Sequence, residues 1–188
     1  AQLHMKMIVD AESDAILGAQ IVGEEGVDKR IDVIATAMRA GLSATDLADL
    51  ELAYAPQFGS AKDPINFAGF INDNIARGEK TVQWHELDER LASGALLVDV
   101  RSPEEFASGA IPGAVNIPLD ELRVRHEEIA DHDDVIVHCQ VGLRGHNAAR
   151  LLTNLGYDVA NLDGGYLTWT NGPVSYTHLR AHETDSYL

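Results

Sequence analysis

A single cysteine, Cys139, occurs in the 188 residues, so no internal disulfide can form and a bridge-stapled secreted scaffold is excluded. A reducing, cytoplasmic setting is the expectation that follows. Basic residues are scarce too: 14 Lys and Arg stand against 30 Asp and Glu, a formal net charge of -16. Phosphate backbones and anionic membranes have to be met by clustered Lys and Arg. The chain has no such cluster, so neither nucleic acid nor a membrane is an expected partner. No run approaches the roughly 20 apolar residues of a membrane helix, and the opening AQLHMKMIVD lacks the charged-then-apolar layout of a signal peptide. The G-x-G-x-x-G turn of dinucleotide sites is also missing. GAQIVGEE spaces its glycines like a phosphate loop but no Lys and Ser/Thr follow, and it reads more simply as a strand. The chain starts without Met and directly in a strand-like segment, which suggests a fragment of a longer protein.

What is present describes a soluble globular chain, 45% hydrophobic and 23% charged, long enough for one sizeable domain or two small ones. LHMKMIVD and AILGAQIVG read as two strands joined through the turn-prone AESD. In GVDKRIDVIATAMRAGLS, Ile31, Ile34, Ala35 and Met38 fall at helical spacing and Gly41 stands where a helix stops. SATDLADLEL reads as a second helix with Ser43 or Thr45 as N-cap, and INFAGFINDNIARG as a third after the irregular AYAPQFGSAKDP. From Asp73 the chain is polar, so the domains are placed at 1–72 and 81–173 with a linker at 73–80.

The second half alternates. WHELDERLASG, SPEEFASG, the LDELRVRHEEIA stretch and NAARLLTNLG read as helices; ALLVDV, AVNIP, DVIVHC and DVANLDGG read as strands. Ser102 caps the short SPEEFASG helix with Pro103 at its first position. Such alternation implies an α/β fold, a parallel sheet with helices on both faces, preceded here by a smaller α+β domain. Sites in such sheets lie beyond the carboxyl ends of the strands, and Cys139 stands at one.

A thiol acts as a nucleophile in its thiolate form, and a helix N-terminus with loop N–H groups stabilises that anion. Gly142 and Gly145 permit the tight path that lets those groups converge, and Arg144 adds a fixed positive charge. The bland alternative is a small buried apolar residue. A metal site is not expected: His138 and Cys139 are strand neighbours on opposite faces, and His4, His85, His126, His132 and His146 are scattered. His178 and His182 would be the best-spaced pair.

Cys139-Gln140-Val141-Gly142-Leu143-Arg144 resembles the C-x-x-G-x-R loop of the rhodanese sulfurtransferases. LLVDVRSPEEFASGAIPGAVNIP resembles the family's D-V-R, E-F and G-H-I-P-G-A-x-N-I-P signatures, with Ala110 in place of the usual His, and LDGGYLTW resembles its closing G-G-x-x-x-W. The resemblance implies that Cys139 accepts sulfane sulfur from a donor as a persulfide and passes it to a thiol acceptor. The N–H groups of the loop Gln140, Val141, Gly142, Leu143, Arg144 and Gly145 would hold the terminal sulfur. Arg144 would shape the loop or bind the donor, and Asp99 with Arg101 would form a structural ion pair nearby. Ala110 implies altered local packing more than altered chemistry. Phosphatases on a related fold use a loop one residue longer; the six residues here favour sulfur.

The first half, through ILGAQIVGEEGVDKRIDVIATAMRAG and DLADLELAYAPQFGSAKDPINFAGF, resembles the dimerisation domain of the pyridine nucleotide-disulfide oxidoreductases, in particular coenzyme A-disulfide or persulfide reductases fused to a rhodanese domain. That resemblance implies a homodimeric parent using FAD, NAD(P)H and CoA, while the present chain is expected to bind none of them itself. It also implies that Tyr54 reaches the partner subunit's active site; a core aromatic with its hydroxyl satisfied is the alternative. VSYTHLRAHET, within a tail at 174–188, reads like a translated sequencing adapter and is expected to be non-native. Three functions therefore stand: a sulfurtransferase, a docking module on a rhodanese fold, and a dimerisation fragment without chemistry.

Overall fold

The computed structural model describes residues 3–172. The 174–188 tail, with His178 and His182, lies outside the described residues. The chain divides into two compact units between Gly78 and Glu79, each described by itself.

In the first unit, β1 (Leu3–Val9) and β2 (Ile16–Gly23) pair antiparallel from Leu3 opposite Gly23, with an irregularity at Ile8/Val9. Asp10 closes the intervening turn: its Oδ1 accepts the N–H groups of Glu12 and Ser13 at 3.2 and 2.8 Å. α1 (Val27–Ala40) stops at Gly41, which takes the left-handed conformation that glycine adopts at least cost. Ile16, Ile34, Leu47 and Ile65 form the core of this unit.

The helix expected over SATDLADLEL is only a 3-10 turn, Thr45–Asp49, whose N-cap Ala44 offers no side-chain bond. Ser43 and Asp46 instead bond each other's backbone N–H reciprocally, and Leu50 is already extended. α2 (Pro64–Ala76) opens on a capping box between Asp63 and Asn66, and Arg30 clamps the Asp63 carboxylate through two bonds of 3.0 Å. Buried Asn66 donates to the carbonyls of Leu47 and Leu50. This explains why the 3-10 turn ends where it does: its free carbonyls are answered by a side chain, not by another helical turn. Asp73–Ala76, assigned from sequence to a linker, are the last turn of α2. Lys80, assigned to the same linker, opens β3.

The second unit carries β3 (Lys80–Val82), β4 (Leu96–Asp99), β5 (Val115–Asn116), β6 (Val135–His138) and β7 (Val159–Leu162) in the order β3-β7-β6-β4-β5. All four pairings are parallel. Successive strand residues divide between two cores. Val98, Val135, Val137 and Val159 join Leu122, Ala148 and Leu152 of α5 (Leu119–Arg125) and α6 (Leu143–Asn154). Leu97, Ile136 and Ala160 join Leu87 of α3 (Leu87–Ala92), with Tyr166 and Trp169 of a final helix over residues 165–172. The period-two alternation of a strand explains the division. It also explains why these strands read as continuous apolar runs, since both faces are covered.

Candidate active site

β6 ends at His138, and the chain leaves the sheet through Cys139 to Gly142 before α6 begins at Leu143. The helix therefore starts earlier than NAARLLTNLG suggested, placing Leu143, Arg144 and Gly145 in its first turn. Gly142 is the N-cap with φ 121° and ψ -33°, a backbone region that only glycine enters readily. Its N–H donates to Cys139 Sγ at 3.1 Å. The first-turn N–H groups of α6 lack intrahelical acceptors, and with the helix dipole they favour an anion at this end.

The loop carbonyls are held by a second helix end. Cys139 O accepts the Tyr166 N–H at 2.8 Å and Gln140 O accepts the Leu167 N–H at 3.0 Å. With those carbonyls committed, the loop N–H groups are what remains to meet a ligand. Gly165 makes this possible, because a Cβ there would strike the Cys139 carbonyl. Gly145 packs equally close to Asn161 of β7.

Asp99 and Arg101 are 0% and 2% exposed. Arg101 Nη2 lies 2.7 Å from Asp99 Oδ2, and its Nε donates to both Asp99 oxygens at 3.0 Å. The same guanidinium donates to the Gly109 carbonyl at 2.7 Å and to Gln140 Oε1 at 3.2 Å, and stacks 4.1 Å from the Tyr166 ring centroid. The pair thus ties β4, the Gln140 side chain and the final helix together. His138 is fully buried, with Nδ1 3.3 Å from the Cys139 carbonyl and Nε2 3.5 Å from Asp99. Burial pushes its pKa below the usual value, so the imidazole is neutral near pH 7.

Arg144 does not present a free charge, as the sequence suggested. Its Nη1 and Nη2 each lie 2.7 Å from one oxygen of Glu105. Glu105 stands in α4 (Pro103–Ala107), where it also completes a capping box by accepting the Ser102 N–H at 3.0 Å. The Arg144 guanidinium, aided by the Ser102 N–H, holds the Glu105 carboxyl down to about 2. Glu105 in turn raises the Arg144 pKa, with a smaller contribution from neighbouring Cys139.

Of the remaining residues singled out from sequence, Val141 and Leu143 are 59% and 66% exposed at the rim. Ala110 is half-buried in the irregular stretch between α4 and β5. Tyr54 lies in the first unit and is 54% exposed, so it is not a core aromatic. Sequence reasoning passed over Glu105, Asn161 and Tyr166. The Ser-x-x-Glu spacing of 102–105 was a legible signal for the first; the other two carried none.

Comparison with known proteins matches residues 83–172 to the rhodanese-like domain and residues 1–63 to the pyridine nucleotide-disulphide oxidoreductase dimerisation domain. The crystal structure of reduced Bacillus anthracis CoADR-RHD is 51% identical with a TM-score of 0.85, covering 89% of this chain and 30% of that one. A NAD-dependent persulfide reductase from A. fulgidus is 38% identical with a TM-score of 0.79, again covering 89% and 30%. Human thiosulfate:glutathione sulfurtransferase is 42% identical, covering 49% of this chain and 94% of its own length. The chain thus spans under a third of the two reductases and nearly all of the single-domain sulfurtransferase.

Proposed function

The chain belongs to the rhodanese-like family, and on that premise we propose that residues 79–172 transfer sulfane sulfur through a persulfide on Cys139. The observation that carries this is the Gly142 N–H on Cys139 Sγ at 3.1 Å, at the head of α6. The Sγ thiolate attacks the outer sulfur of a donor such as thiosulfate; a new S–S bond forms and sulfite leaves with the electron pair of the old one. The loop N–H groups then hold the anionic terminal sulfur. An acceptor thiolate attacks that sulfur, the Sγ–S bond breaks, and Cys139 is released as thiolate. Two half-reactions through one covalent intermediate give ping-pong kinetics. Cys139 is 1% exposed, which suits a slender terminal sulfur better than a phosphate tetrahedron and disfavours the phosphatase alternative.

In the reductase relatives a domain of the first unit's type accompanies far longer chains, and a longer parent of this chain would pair through it and use FAD, NAD(P)H and CoA. The residues present do not fit a dinucleotide. Gly18 and Gly23 belong to β2 of the antiparallel hairpin, not to a turn between a strand and a helix. The sulfur chemistry therefore rests on the second unit. The exposed Tyr54 supports a pairing role for the first unit.

The test is intact mass spectrometry after incubation with sulfane-sulfur donors, alongside Cys139→Ser. One added sulfur on the wild type alone, discharged by cyanide, is the expected result. A folded wild type that gains no sulfur from any donor leaves a docking or dimerisation fragment.

A further inference from the structure

Both arginines beside the cysteine loop are already paired. Arg101 faces Asp99 in a buried ion pair, and Arg144 gives both terminal nitrogens to Glu105. These four side chains sum to zero charge. A donor approaching Cys139 therefore meets a cancelled cation, an apolar rim at Val141 and Leu143, and a carboxylate that stays ionised down to about 2.

Glu105 is not free to swing away. Its Oε2 accepts both Arg144 Nη1 and the Ser102 N–H, and its own N–H is answered by Ser102 Oγ at 3.3 Å. The carboxylate is thus fixed by the start of α4 as well as by the guanidinium. A charge held in place by two independent elements acts on every ligand that enters.

We propose that Glu105 is a specificity-determining residue: by closing Arg144 into an ion pair it disfavours doubly charged sulfane-sulfur donors and leaves singly charged ones as the preferred class. This rests on the sulfurtransferase reading. The Coulomb cost of placing a ligand beside a fixed carboxylate scales with ligand charge, and an unpaired guanidinium would reverse its sign. The cleavable bond is the same in thiosulfate, a dianion, and methanethiosulfonate, a monoanion: the outer sulfur goes to Cys139 and the sulfur-oxygen group leaves as sulfite or methanesulfinate. Comparing them isolates charge from chemistry.

The experiment measures kcat and KM for both donors with wild type, Glu105→Gln and Glu105→Asp, at low and high salt. Gln keeps the capping box and removes the charge; Asp keeps a carboxylate beside Arg144 to pair with it. Wild type should favour methanethiosulfonate. Glu105→Gln should lower KM for thiosulfate by about fivefold relative to methanethiosulfonate, with kcat little changed, and salt should shrink the effect. Glu105→Asp should keep the wild-type preference. An unchanged donor ratio in Glu105→Gln, or the same shift in Glu105→Asp, overturns the proposal while leaving sulfur transfer intact. A wild type inactive with both donors overturns both readings.

Discussion

Gly145, in the first turn of α6, lies so close to Asn161 of β7 that any side chain at 145 would enter the Asn161 carboxamide. The approach sets how near the head of α6 comes to the sheet, and hence where its N–H groups stand relative to Cys139. Gly145→Ala forces one of them to move. The expected cost is about 1–3 kcal/mol, read as a lower urea midpoint, together with slower sulfur loading of Cys139. Gly59, where an added Cβ would meet nothing within 4 Å, is the control position: alanine there should change neither.

The Asp99–Arg101 pair is buried, so removing one partner strands a charge. Asp99→Asn should destabilise the second unit by about 3–5 kcal/mol, measurable by chemical denaturation. Replacing both residues together by apolar ones should cost less than the single change. If the double variant is no better than the single, the pair is held by its bonds to Gly109 and Gln140 more than by its charge.

Stability should fall with acid in two stages. Burial lowers the His138 pKa, so below the ordinary value of about 6.5 the unfolded state binds the proton that the folded state refuses. Stability therefore drops as the pH falls through that value. Glu105 contributes stability present above its unfolded value of 4.5 and lost as the pH falls toward about 2; with the pair partly exposed, salt should weaken this second stage. Urea midpoints between pH 8 and 3 test both stages, and His138→Gln should remove only the first.

Tyr54 is half-exposed. Its replacement by Ala should therefore alter thermal stability by less than about 0.5 kcal/mol and leave sulfur loading of Cys139 unchanged. A larger loss of stability, read by denaturation, would show that its ring is structural in this chain.

Much of the second unit was legible because both faces of its sheet are covered: LLVD and VIVH, apolar but for their last residues, admit few readings, and Ser102-Pro103 announces a helix start by local chemistry alone. The first unit was less legible where local preference met tertiary demand. SATDLADLEL has helical patterning, but Asn66, far along the chain, captures the carbonyls of Leu47 and Leu50 and the helix gives way to one 3-10 turn. Polarity sets residues 73–80 apart as a linker although INFAGFINDNIARG reads as helical, and the chain follows the helical reading: Asp73 takes the i,i+4 salt bridge to Arg77 and α2 runs to Ala76.

The order of residues by itself determined the cysteine at a strand end, the glycines that let its loop turn, and the alternation that makes the sheet parallel. These depend on near neighbours and on periodicity, which a chain carries along its length. Only the tertiary structure decided the charge state of the site. Arg144 and Glu105 stand 39 positions apart, and nothing local could say that one carboxylate would close on the guanidinium. Coulomb interactions act through space rather than along sequence, so which charges meet is settled by packing.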